Sequence, residues 1–249
     1  MKAQVGIGLT PMRVEYTLAA GAVQSGSLTL RNESKVPARV RSEILDFYLD
    51  QNAVPQFEKS VAAEKPHSCR EWLTVTPNET EVAPDSYQLV RYTLRIPEGV
   101  ADKSFHCAIG YSTLPTMSNE SGTGMRTAIR MVAAVYATVG NAPVVGEVSD
   151  VTVEKIADDT NTPWRAVVTL SNKSQRFYRA SGDIELVDQS GKVLEKAQFP
   201  SFPVLPSREQ KFPIPLKTNL EGKELSLRMR IGMGAQEIQE ATVPIKIDK

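Results

Sequence analysis

Apolar and polar residues alternate along this chain in short runs bounded by Pro, Gly, Asn and Asp, and these runs recur every ten to fifteen residues. Alternation with a period of two sends successive side chains to opposite faces of an extended strand, and the three-to-four spacing of an amphipathic helix is nearly absent. "LVRYTLRIP" is the clearest case, with Val90, Tyr92, Leu94 and Ile96 on one face and Leu89, Arg91, Thr93 and Arg95 on the other. That pattern predicts an antiparallel strand with one side in a core and the other in water. In "DIELVDQSGKVLEKA", Ile184 and Leu186 precede and Val193 follows the turn sequence Asp188-Gln189-Ser190-Gly191, which predicts a hairpin.

Seven strand candidates occupy the first half, at roughly 4–18, 25–32, 37–50, 72–76, 87–96, 104–114 and 127–139, and a second set runs from Glu147 to Ile247. Between them "GNAPVVG", from Gly140 to Gly146, has the composition of a short linker. The fold class expected is all-β, as two tandem immunoglobulin-like β-sandwich domains over residues 1–142 and 143–249.

A repeated phrase supports the tandem reading. "SGSLTLRNES" at Ser25 to Ser34 and "RAVVTLSNKS" at Arg165 to Ser174 both end an early strand in Asn-x-Ser. Each half then carries a second shared phrase, "VAPDSYQLVRYTL" and "VLPSREQKFPIPL". The repeat is expected to mark one turn built twice, so no binding site is placed on it.

Composition narrows the function classes. Twenty-nine basic residues balance twenty-nine acidic ones, which leaves no overall field to draw the protein onto nucleic acid or an anionic membrane. No apolar run reaches the length of a spanning helix, so no direct membrane insertion is expected. The opening "MKAQVGIGL" lacks the basic start and apolar core of a secretory signal. A mature exported protein with its signal removed is the expectation, the alternative being a cytosolic protein whose first strand begins early.

Both His and both Cys residues lie in the first half, as "HSC" (His67, Cys69) and "HC" (His106, Cys107). A zinc site is disfavoured because His106 and Cys107 are neighbours on an alternating strand and leave opposite faces of it. A Cys69–Cys107 disulfide is the leading expectation, and two separate buried thiols the alternative. Catalytic signatures are missing: there is no Gly-x-Ser-x-Gly elbow, phosphate-binding glycine loop or His-Glu-x-x-His. A Cys107–His67 nucleophile pair is conceivable but weaker than a crosslink with flanking histidines, so neither an enzyme nor a cofactor or metal is expected. Asn32, Asn78, Asn119 and Asn172 match the glycosylation pattern and are read as turn residues.

The first half resembles the N-terminal domain of PapD-like periplasmic pilus chaperones and, more loosely, Ig-like surface proteins that interact with WxL-domain partners. The resemblance is carried by "LTPMRVEYTLAAGAVQSGSLTLRNES", "WLTVTPNETEVAPDSYQLVRYTLRIPEG" and "AIRMVAAVYATVGNAP". It spans most of Val5 to Pro143, and the second half looks like the Ig-type second domain of both families.

The chaperone resemblance implies a protein that captures pilus or fibre subunits in the periplasm by β-strand addition, with an outer-membrane usher as a further partner. It implies that the last strand of the first domain binds the partner through the alternating Ile129, Met131, Ala133 and Val135. It also implies two basic residues for the subunit's terminal carboxylate. Arg13 in "MRVEY" matches the first. Where the family has a lysine three residues before the strand's tyrosine, this chain has Ala133 before Tyr136, and Arg130 is the nearest base. Upstream, "SNESGTGM" is a Gly/Ser-rich loop where the family carries bulkier apolar residues. The competing reading is a periplasmic or cell-surface Ig-like scaffold that binds a folded partner or cell-wall component.

Overall fold

The computed structural model describes residues 6–50, 52–114, 128–156, 161–234 and 238–245. Within them the alternating runs become β strands, joined by two short 3-10 turns at Ala62–His67 and Arg70–Trp72. Contacts divide the chain into two units, Met1–Phe47 with Phe57–Asn141, and Tyr48–Gln56 with Ala142–Lys249.

The first-half strands are β1 (Ile7–Thr10), β2 (Arg13–Leu18), β3 (Val23–Asn32), β4 (Ala38–Leu49), β5 (Pro55–Glu58), β6 (Leu73–Thr76), β7 (Glu79–Val82), β8 (Ser86–Arg95), β9 (Lys103–Thr113) and β10 (Arg130–Val139). One sheet has the order β1-β3-β8-β6, and the other β2-β10-β9-β4-β5 with β7 also paired to β4. On β8 the expected inward set, Val90, Tyr92, Leu94 and Ile96, is buried in the core between the sheets. Burying one such side chain contributes roughly 1.5–3 kcal/mol before conformational entropy is charged against it.

The single opening run expected at 4–18 is two strands in different sheets, although residues 4 and 5 lie outside the described residues. β1 pairs antiparallel with β3, and β2 pairs parallel with β10. The break falls at Pro11, which has no N–H for a ladder and restricts the residue before it, so the chain changes sheets there.

In the second half the strands are β11 (Gly146–Lys155), β12 (Trp164–Asn172), β13 (Tyr178–Arg179), β14 (Ser181–Asp188), β15 (Val193–Gln198), β16 (Pro203–Val204), β17 (Glu209–Leu216), β18 (Leu225–Gly232) and β19 (Ile238–Pro244). They form β11-β12-β17, β13-β16 and β15-β14-β18-β19 around a second core that includes Phe212, Leu170, Ile184 and Leu216. The predicted hairpin is the β14–β15 turn. Asp188 Oδ1 accepts the backbone N–H groups of Ser190 (2.9 Å) and Lys192 (3.0 Å), and Gly191 takes the positive φ of 80° that a Cβ would resist.

The repeated phrase has a shared hydrogen-bond network. At the end of β3, Asn32 donates from Nδ2 to Val36 O (2.8 Å) and Val82 O (3.0 Å), and its Oδ1 accepts Ser34 N (3.0 Å) and Ser34 Oγ (2.7 Å). At the end of β12, Asn172 donates to Arg176 O and Val204 O (both 2.9 Å) and accepts Ser174 N (2.9 Å) and Ser174 Oγ (2.7 Å). Val82 and Val204 open the second shared phrase. Three residues later, Asp85 and Ser207 both adopt positive φ, 48° and 56°. One buried amide therefore joins the two phrases in each half, because backbone carbonyls that leave water need a donor. Asn32 and Asn172 are 0% and 2% exposed, so neither is an accessible glycosylation acceptor in the folded chain.

Candidate functional site

β10 has two different sides. Toward β9 it is paired along its length, from Arg130 opposite Ser112 to Val139 opposite Lys103. Toward β2 the pairing starts only at Ala134, which lies opposite Arg13 and donates its N–H to Met12 O at 2.9 Å. Strand alternation fixes which backbone groups face which way. Thr113 N–H bonds to Ile129 O, so odd-numbered residues pair with β9, and the amides of Ala134 and Gly140 bond toward β2. The N–H and C=O groups of Arg130 and Val132 consequently point to an edge that no described strand covers.

The inward side of this segment differs from what the resemblance implied. Met131, Ala133 and Val135 are buried, and Ile129 packs against the same core, which consists of residues of the first half of the chain. Those side chains face the opposing sheet, because β10 is an integral strand whose odd positions complete its own sandwich. What stands at the edge is backbone, with Val132 and Ala134 half-buried on the outer face.

Arg13 sits at the end of the open segment. Its side chain is 54% exposed and its Nε lies 3.3 Å from Glu15 Oε1, while Met12 beside it is 63% exposed. Arg130 shares the outer face with Arg13, since Arg13 is aligned with Ala134, and Ala134 is an even number of residues from Arg130 on β10. It is four residues away, about 13 Å along a strand. The two arginines do not converge on one point in this register, and Arg130 Nε instead meets Glu43 Oε1 at 2.9 Å. The "SNESGTGM" segment, including Asn119, lies outside the described residues.

The His and Cys residues serve structure. Cys69 and Cys107 form a disulfide across 38 positions. It holds a segment that takes the place of β4 beside β9: β4 pairs with β9 as far as Leu45–Ala108, and Ser68 then bridges to His106 with Cys69 N–H on His106 O at 3.2 Å. Asp46, at the point of departure, accepts Val61 N–H at 2.9 Å and the Ser68 hydroxyl. His106 donates Nε2–H to the buried Glu64 carboxylate at 3.1 Å and stacks edge-on against Phe47. His67 donates Nδ1–H to Ser104 O at 2.7 Å. Burial lowers the His67 pKa against the opposing pull of that bond, which keeps the ring neutral near pH 7. The imidazoles and thiols thus have partners that leave no nucleophile pair.

Sequence reasoning missed two features. One is the sheet change at Pro11, after which β2 covers β10 only from Ala134 onward among the described residues. The other is the proline pair on β17. Asn172 N–H bonds to Arg208 O, so on β17 the even positions 210, 212 and 214 pair with β12. Pro213 and Pro215 then turn their nitrogens to the outer edge and remove two of its donors, a common protection against stray strand pairing. The alternation of "FPIPL" carried that signal. Among the described residues, the β10 edge has no such guard.

Compared with solved structures, the chain is similar to the Class 5 fimbriae chaperone CfaA, with a TM-score of 0.51 and 10% identity over 97% of this chain and 100% of that one. It is also similar to a structure from a chaperone–tip adhesin complex of CFA/I fimbriae biogenesis, with a TM-score of 0.50 and 10% identity over 96% and 98% of the two chains. No protein-family model and no curated protein matches the sequence. The likeness establishes the class of fold: all-β, the two-sandwich fold of the PapD-like fimbrial chaperones.

Proposed function

We propose that this protein is an extracytoplasmic, chaperone-like binding protein, not an enzyme, that captures a pilus or fibre subunit by strand addition to β10. The observation that carries the reading is the uncovered edge at Arg130 and Val132, continued in line by β2. An extended segment placed there gains main-chain hydrogen bonds to β10. If it runs parallel to β10, as β2 does, its C-terminal end meets Met12 and Arg13. A terminal carboxylate would then find the Arg13 guanidinium, and a charge-assisted bond there would fix the register of the added strand.

The structural neighbours named above support the partner class, since one is a fimbriae chaperone and the other comes from a chaperone–tip adhesin complex. The Cys69–Cys107 crosslink supports a periplasmic location, because disulfides persist in oxidising compartments. Domains of residues 1–142 and 143–249, and an outer-membrane usher as a further partner, belong to the same proposal.

A second reading, an Ig-like scaffold for a folded partner, draws on one observation. Tyr87 and Leu89 are 67% and 53% exposed on the same outward face of β8. Co-purification from the source cell separates the two: a chaperone retains unpolymerised subunits, and a scaffold retains finished partners or wall fragments.

Arg13→Ala tests the anchoring role. Its binding to a fluorescein-labelled octapeptide of alternating valine and threonine with a free C-terminal carboxylate should fall by about tenfold or more, in line with one lost charge-assisted bond of about 1.5–3 kcal/mol. Thermal stability should be unchanged. Undiminished capture removes Arg13 from the site.

A further inference from the structure

We infer that Arg130 is a positioning residue, whose ion pair with Glu43 holds the one-sided end of β10 flat against β9 and so prepares the edge for an incoming strand. The inference rests on the strand-capture reading of that edge. It gives Arg130 a task separate from that of Arg13, instead of a share in holding the partner's carboxylate.

The geometry is specific. In the sheet, Val132, Gly110 and Glu43 form one row across β10, β9 and β4, and Arg130, Ser112 and Arg41 form the next. The Arg130–Glu43 pair is therefore a diagonal that starts on β10, crosses β9 and ends on β4. It passes over Gly110, where an added Cβ would lie 2.9 Å from Leu45 Cδ1, 3.2 Å from Glu43 Cγ and 3.6 Å from Arg130 Nε. Glycine at this position lets the two long side chains lie close to the sheet.

Competition for Glu43 is limited as well. Arg41, the base in the neighbouring row, directs Nε and Nη2 to Glu79 Oε2 at 3.1 and 2.9 Å, and Arg39 also pairs with Glu79. Glu43 is thus left to Arg130, with Ser112 Oγ at 3.5 Å from the same carboxylate oxygen.

The strut acts where the strand needs it. From Ala134 onward β10 is held on both sides, but among the described residues Arg130 to Ala133 pair with β9 alone. A strand end with one partner opens locally at low free energy. An edge that must be ordered upon binding loses affinity to that ordering, and one already held flat does not. Arg130 reaches across β9, away from the open edge, so it can hold the backbone without blocking it.

Hydrogen exchange tests this directly. The amides of Met131 and Ala133 bond to β9, so Arg130→Gln and Glu43→Gln should each speed their exchange by about tenfold, while Val135 and Ala137 keep their protection. Capture of the free-carboxylate valine/threonine octapeptide should weaken by a similar factor in both variants. The exchanged pair Arg130→Glu with Glu43→Arg should restore both readouts. Unchanged exchange at Met131 and Ala133 in both single variants overturns the strut. So does capture lost in Arg130→Gln alone and not recovered by the exchanged pair, which would make Arg130 a direct contact. If the unaltered protein captures no peptide while exchange responds as expected, strand capture fails and the strut stands.

Discussion

Arg13 on β2 and Ala134 on β10 lie side by side in a parallel pairing, and that alignment marks where the covered part of β10 begins. Before it, the strand offers backbone groups; at it, a half-exposed guanidinium closes the line. A β sandwich gains nothing in stability from such a gap, and edges of this kind are ordinarily covered or guarded. The gap is consequently the feature to which function is assigned.

The guard on β17 gives the first prediction. Replacing both Pro213 and Pro215 with valine restores two N–H donors on an outward edge. Size-exclusion chromatography with light scattering should detect concentration-dependent self-association that the unaltered protein lacks. A doubly substituted protein that stays in its original state at high concentration shows that the prolines do not protect that edge.

The repeated asparagine gives the second. Asn32→Ala and Asn172→Ala each leave buried carbonyls without a donor and should each destabilise their own half of the chain by about 2–4 kcal/mol, since more than one buried bond is lost. Chemical denaturation followed by exchange mass spectrometry should show the loss in the strands of the altered half. A loss below about 0.5 kcal/mol, the scale of an ordinary surface change, would mean that solvent replaces the amide at no cost.

The disulfide gives the third. Cys69→Ser with Cys107→Ser removes a crosslink over 38 positions and should lower the stability of the first half by about 3–4 kcal/mol on the chain-entropy account. Limited proteolysis should then cut first in the Glu64 to Arg70 region, which the bond fastens to β9. An unaltered denaturation midpoint contradicts the assigned role.

Much of the fold was legible because period-two patterning reports a buried face wherever one sheet side meets water. β8 shows this best, as Val90, Tyr92, Leu94 and Ile96 are buried as the alternation required. The turn after Asp188 and the Asn-x-Ser repeat were legible for a second reason, since their chemistry is local. The crosslink was the leading expectation from two cysteines and is present. The candidate edge was less legible because it depends on partners distant in sequence. Alternation identified Met131, Ala133 and Val135 as one face of a strand, but a sequence does not state whether that face meets a partner or the strand's own core. Nor could spacing reveal that Glu43 takes Arg130, as that contact arises from the register of β4, β9 and β10 together.

Strand addition to β10 is the central claim, and amide exchange at Arg130 and Val132 measures it most directly. With the free-carboxylate valine/threonine octapeptide at saturation, both amides should gain about tenfold or more in protection, and the C-terminally amidated peptide should protect them less at equal concentration. Bound peptide with unchanged exchange at both amides would contradict capture on this edge.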